Sequence, residues 1–335
     1  MIRLLLFVAL ALGALFLESR PFAEPATKIW REWLAANALP VSPERVTAVE
    51  LSAPGIDSLS AALVLRAVLP LQPRGIVFLD PVASDSSSSL LLSKLGDARA
   101  PVVFSATQNL EALPNVRIAR AAPALPLSPA LVPGGVSLGS PSGGGQVVAR
   151  QGKEAVPSSA LEVLLLAKKA VAQNVTGSVP GVLRLEGTGI PVDARGRTEA
   201  NPLAARALER IDCGALLVRT EQSERGEIGA GLDALFRDRW VAVQLAGKSG
   251  AATLAAALNN LAETTSPWAG AVGVLLVAGL AFLPRRGRFL AACGAGCLWA
   301  LMALACWREF HLASPWFPVL LAPALAVLIP PRRTI

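Results

Sequence analysis

The sequence predicts an α/β protein. A mostly parallel sheet with flanking helices forms an exported domain, joined to one N-terminal and three C-terminal transmembrane helices. Three observations predict this class. Between residues 46 and 263, short apolar runs alternate with helix-like stretches at the spacing of βαβ units. The chain is 53% hydrophobic with a mean hydropathy of +0.51, and the excess is concentrated at its two ends, as membrane spans require. The arginines outside the central region lie at alternate ends of those apolar runs.

The elements follow in order. MIRLLLFVALALGALFL (1–17) is a first span. It reads as an uncleaved anchor, because its only early charge is Arg3 and no small-x-small pair follows the apolar core. In TKIWREWLAANAL, Ile29, Trp33 and Leu34 share a helical face, and Pro40 and Pro43 end the helix. VTAVELS (46–52) is a strand, SLSAALVLRAVLPL (58–71) a helix and GIVFLD (75–80) a buried strand. A helix over 87–96, capped by serine and closed by glycine, leads to the strand APVVFSAT (100–107). Residues 113–150, rich in Pro, Gly and Ser, read as an irregular excursion or short edge strands. PSSALEVLLLAKKAVAQ (157–173) is a helix, and two short strands around turns follow within 181–202. The remaining expectations are a strand over 214–220, a helix over 231–239, a strand over 240–247 and a helix over 251–263 that runs on into the membrane. Three spans close the chain, at 268–283, 289–307 and 315–331. The domains are therefore an anchor (1–17), an exported α/β domain (18–267) and a three-span bundle with a short tail (268–335).

The net charge of +7 and pI near 9.8 do not mark a nucleic-acid surface. Residues 18–267 carry 24 basic and 23 acidic groups, so the excess lies in the membrane-flanking segments, which hold seven Arg against Glu309. Arg3, the Arg285–Arg286–Arg288 cluster and the Arg332–Arg333 pair fall at alternate crossings, which puts them in the cytoplasm and residues 18–267 outside. Abundant Arg, Ala and Pro with no Tyr suggest a GC-rich bacterial genome, making the outside the periplasm and the location the inner membrane.

The residue inventory limits the chemistry. The only histidine, His311, lies between the third and fourth spans, so the exported domain can hold no Ser-His-Asp triad, no His-activated Cys213 and no His-ligated metal. Lysines are present, but no S-x-x-K opens a helix, and the expectation is a protein without catalytic residues, cofactor or metal. Cys213 stands alone in the domain; Cys293 and Cys297 share a helix face beside Gly294 and Gly296, a pattern of close packing. The candidate ligand site is the turn after GIVFLD. There Asp80, Asp85, Ser86 and Ser87 could present carboxylates, hydroxyls and free backbone N–H groups at the carboxyl edge of the sheet. Lys248 and Ser249, in the Gly-Lys-Ser-Gly turn after another strand, could join them, although that turn is too short for a nucleotide-binding P-loop.

The order of segments resembles the CHASE-2 domain, an extracellular sensory domain of bacterial membrane receptors. AALVLRAVLPLQPRGIVFLDPVAS, APVVFSAT, PSSALEVLLL, IPVDARGRTEANP, LFRDRWVAVQLAGKSG and LAAALNNLAE each resemble a family segment, in family order, across most of residues 45–265. The one-plus-three span arrangement is also that of the family. Two departures stand out: GGGQVVAR (143–150) replaces the family's D-x-D-G-x-x-R turn, keeping Arg150, and the stretch before the last helix is shortened to KSGAA. The resemblance implies a sensor that relays binding of an unidentified small ligand or a partner through its membrane helices. Because the chain ends at Ile335 without a cyclase or kinase, the expected listener is a separate membrane or cytoplasmic protein. The lipid bilayer is the other expected partner, a homodimer fits, and the alternative is an accessory subunit that uses the domain for docking.

Overall fold

The computed structural model describes residues 2–18, 20–38, 44–83, 86–105, 116–118, 145–151, 154–170, 174–177, 179, 181–193, 195–226, 231–265, 267–282 and 288–328. Two compact units emerge: Met1–Val41 with Glu263–Ile335, and Ser42–Ala262. The first is helical and contains both ends of the chain; the second is the α/β unit.

The chain starts with helices α1 (Ile2–Glu18) and α2 (Glu24–Ala38). Strands β1 (Val46–Leu51) and β2 (Ile56–Asp57) lead to helix α3 (Ser58–Val68), which Asp57 caps by accepting the Ser60 N–H at 2.7 Å. Next come β3 (Gly75–Phe78), β4 (Val82–Ala83), α4 (Ser88–Gly96), β5 (Val102–Phe104) and β6 (Val116–Ile118). β7 (Gly145–Gln146), β8 (Val148–Gln151) and β9 (Glu154–Pro157) precede α5 (Ser159–Ala167). The antiparallel hairpin β10 (Gly181–Leu185) and β11 (Thr188–Val192) follows, then β12 (Arg197–Ala200) and β13 (Leu208–Asp212). Helices α6 (Cys213–Glu224) and α7 (Leu232–Phe236), strand β14 (Trp240–Leu245) and helix α8 (Gly250–Leu258) complete the α/β unit. Strand β15 (Ala262–Thr265) carries the chain back into the helical unit, which ends with α9 (Pro267–Gly279), α10 (Arg288–Phe310), β16 (Leu312–Ala313) and α11 (Phe317–Leu328).

The α/β unit is built on a six-stranded parallel sheet in the order β13-β1-β14-β3-β5-β6. Strands β3 and β5 are buried along their whole length, which is why they read as continuous apolar runs. Helices α3, α4, α6 and α7 pack on one face through Val49, Ile76, Phe78, Phe104 and Val243. Helices α5 and α8 contact the strands from the other face, toward which Gln244 points. Phe78 and Phe104, paired across β3 and β5, stack with centroids 4.6 Å apart. Gly75 pairs with Trp240, and an added Cβ there would overlap the indole ring.

Three expectations change. Residues 214–220 are helix, not strand: Asp212 ends β13 and caps α6 by accepting the Ala215 N–H at 3.2 Å, so the strand is the preceding LERID. The last helix of the α/β unit does not run into the membrane segment, because α8 stops at Leu258, Asn260 turns left-handed (φ 56°) and β15 intervenes. Among the described helices, only Phe289–Phe310 is long and apolar enough to cross a bilayer, against an expectation of four spans. Its 22 residues reach about 33 Å. Leu4–Glu18 and Trp268–Gly279 are shorter apolar helices, and α11 has 12 residues with Pro323 inside it. Most of the expected excursion at 113–150 lies outside the described residues.

In the helical unit, α1 packs against α9 and α11, α11 also against α10, and α2 against α10. Phe7, Ala11, Val274, Val277, Ala292 and Phe317 form its apolar centre. Gly296 allows α10 to approach the α11 backbone, where an added Cβ would sit 3.2 Å from the Val319 carbonyl oxygen; Gly294 has no such neighbour.

Candidate functional site

The carboxyl edge of the sheet gathers polar side chains from four adjacent strands. Helix α8, after β14, lies on the opposite face from α3 and α4, which follow β1 and β3. The boundary between β14 and β3 is therefore a switch point, the usual position for a ligand crevice in an open α/β sheet. Asp80 sits there, just past β3, and is 2% exposed. Its Oδ2 accepts the Leu245 N–H at 2.8 Å, and its Oδ1 pairs with Lys248 Nζ. Gln244 continues the chain of contacts. Its Nε2 donates to the Lys248 carbonyl at 2.9 Å and to Glu50 Oε1 at 3.2 Å, while its Oε1 accepts the Ala251 N–H at 2.8 Å. Arg210, on β13, pairs with the same Glu50 oxygen. The result is one network from β13 to β3 that ties the turn after β14 to the sheet.

Of the expected site residues, the structure joins Asp80 and Lys248. Asp85 lies outside the described residues. Ser86 is exposed, and Ser87 holds the N-cap position of α4 without a side-chain capping bond. Ser249 does the same at α8. Ser88, within the same serine run, lies 3.1 Å from Ser58 Oγ, and Ser58 donates to the Ala83 carbonyl at 2.8 Å. Sequence reasoning passed over Glu50, Gln244 and Arg210; a charged or amide residue at the end of an otherwise apolar strand was the available signal.

Chemically, the Asp80–Lys248 pair is self-satisfied. Both Asp80 oxygens are engaged, and an anion drawing Lys248 away would leave a buried carboxylate unpaired. Burial, then the charge of Asp212, push the Cys213 thiol up, the direction that disfavours the thiolate. Among the described residues, no group of three or more His, Cys, Asp or Glu side chains could hold a metal ion.

The helical unit holds a second polar cluster. Glu263, the first residue of this unit after the α/β insertion, is fully buried. Arg31 Nε donates to its Oε1, and Trp307 Nε1 donates to its Oε2 at 2.9 Å. The His311 ring lies 5.0 Å from that of Trp307, and the His311 carbonyl accepts the Thr264 N–H at 3.0 Å, next to the β15–β16 pairing. Other tryptophans are likewise tied inward. Trp30 Nε1 donates to the Ser314 carbonyl at 2.7 Å, Trp299 Nε1 to the Pro315 carbonyl at 2.8 Å, and Trp316 Nε1 to Thr27 Oγ1 at 3.1 Å. The segment that leaves the α/β unit is thus fixed to α2 and α10 before it enters α9. Against protein-family models, curated proteins and solved structures, the chain gives no match.

Proposed function

We propose that this chain is a membrane-anchored, extracytoplasmic sensor of CHASE-2 type in a bacterial inner membrane, relaying binding at its α/β unit to a separate cytoplasmic protein. The observation that carries this reading is the insertion of the α/β unit between residues 41 and 263 of a helical unit that contains both chain ends. Of the apolar helices, α1 comes before the insertion and α9, α10 and α11 come after it, with α2 between α1 and the insertion, which is the order of a receptor with one leading and three trailing spans. Apolar side chains on the outside of these helices, such as Leu275 at 70% exposed and Leu301 at 65%, suit lipid. In this reading all four apolar helices cross or enter the bilayer. Arg3 and the arginines at 285–288 and 332–333 mark its cytoplasmic side. The Glu263 cluster gives a displacement of β15 a direct hold on α2 and α10.

Reporter fusions test the topology. Alkaline phosphatase joined after Arg150 is expected to be active, and a fluorescent protein joined after Ile335 to fluoresce; an inactive phosphatase at 150 overturns the proposal. A second reading, an accessory subunit that docks through the α/β unit, is favoured by the self-satisfied Asp80 network. Spin labels on α9 and α10 in nanodiscs separate the two: a sensor changes their separation when a metabolite pool is added, and a docking subunit does not.

A further inference from the structure

The opposite, amino-terminal edge of the sheet carries a cavity of about 780 Å³. That volume lies within the roughly 300–1,000 Å³ of small-molecule sites. Its walls come from the end of α3, the turn into β3, the end of α4 and the loop into β5. Four cationic side chains line it, one from each of those segments: Arg66, Arg74, Lys94 and Arg99. Two carboxylates, Asp97 and Glu224, stand against them.

The pairing here is loose. Arg66 holds Glu224 with Nη2 at 3.0 and 3.1 Å from its two oxygens, but both side chains are more than half exposed. Lys94 lies 3.6 Å from Asp97, which is 69% exposed. The partner of Arg74, Glu44, is not part of the cavity wall. Arg99 has no hydrogen-bond or ion-pair partner among the described residues. Exposed pairs of this kind contribute little to stability, so an incoming anion can displace their carboxylates into water at small cost. Pro73 and Pro101 stiffen the two loops that carry Arg74 and Arg99, so part of the site is already ordered before anything binds.

We propose that this groove binds a small polyanion, a molecule carrying two or more phosphate or carboxylate groups. Four cations on separate segments suit spread negative charge better than a single ion, and their Arg side chains suit planar or bidentate oxygen acceptors. The site stands apart from the Asp80 network and does not depend on the sensor reading.

Calorimetric titration of the full chain in nanodiscs, with pyrophosphate and with citrate, tests the proposal. Saturable binding of at least one probe is expected, weakening as sodium chloride is raised. Pyrophosphate alone identifies a phosphate ligand and citrate alone a carboxylate ligand; both together leave the shared chemistry. Arg99→Glu is expected to weaken binding at least tenfold, and Lys94→Ala severalfold. Arg195→Ala, at an exposed position on the turn between β11 and β12 that does not line the cavity, is expected to change nothing. Absence of saturable binding by either probe overturns the proposal. So does undiminished binding by both Arg99→Glu and Lys94→Ala.

Discussion

Among the described residues, Leu59, Leu90 and Val218 are the large apolar side chains that the α/β unit leaves exposed, whereas the smaller helical unit exposes many, from Leu5 and Phe16 on α1 to Leu290, Leu298 and Leu301 on α10. Burial of charge does not separate them, because each unit buries a paired carboxylate, Glu263 in the helical unit and Asp80 in the α/β unit. Glu263 has Arg31 and an indole N–H as partners, and most ion pairs of the α/β unit lie at its surface. The α/β unit is organised by removing apolar surface from water. The helical unit leaves much more of that surface exposed around its apolar centre, and in the proposed reading lipid covers it. The two units differ in how much apolar surface they leave exposed.

Testing this comparison starts with Glu263. Glu263→Ala removes the buried carboxylate that Arg31 and the Trp307 N–H share, and losing one side of a buried pair costs about 3–5 kcal/mol. Unfolding of the full chain in detergent is expected to show that loss; Glu263→Gln, which can still accept from Trp307, is expected to lose less. A matched pair of surface changes sharpens the comparison. Leu298→Arg, near the middle of the membrane-length helix, is expected to cost about 3 kcal/mol of insertion. Val218→Arg on α6 is expected to stay within about 0.5 kcal/mol. Fractionation measures the first and denaturation the second; equal tolerance of both would show that the apolar face of α10 does not meet lipid.

The two units were unequally legible in the sequence. In the α/β unit, VTAVEL, GIVF and WVAVQL declared themselves as buried strands, and Asp80 was placed correctly at a strand end. What sequence spacing could not supply was the insertion of β14 between β1 and β3. That insertion brings Lys248 to Asp80, 168 positions away. Local ambiguity explains the misread helix: ALLV is equally apolar as strand or helix, and only the preceding Asp212 cap decides it. In the helical unit, the apolar runs gave the helices. The Glu263 cluster remained hidden because Arg31 lies 232 positions away and Trp307 lies 44, with no periodicity to link them.

Gly75 tests how tightly the α/β unit is packed. A Cβ at this position overlaps the Trp240 ring, so Gly75→Ala is expected to cost about 1–3 kcal/mol through overpacking. Pairing it with Trp240→Leu, which removes the ring, should make the two changes less than additive. Strict additivity would separate Gly75 from Trp240 energetically.

A smaller loss than that at Gly75 belongs to Asp57, at the start of α3. Hydrogen bonds from Ser60, first its side chain and then its backbone N–H, hold this carboxyl below its ordinary range. A carboxylate depressed in the folded state adds stability above its unfolded pKa of about 3.9, and that contribution fades as pH falls through the lower folded value. Asp57→Ala is therefore expected to cost about 1 kcal/mol at pH 7. The difference from the unaltered chain should shrink once the pH drops below about 4. Asp57→Asn, which keeps an accepting oxygen without the charge, is expected to recover most of the loss at pH 7. Hydrogen exchange of the first α3 amides reads this directly. A gap between Asp57 and Asp57→Ala that persists unchanged to pH 2 would mean that the carboxylate charge plays no part in the cap.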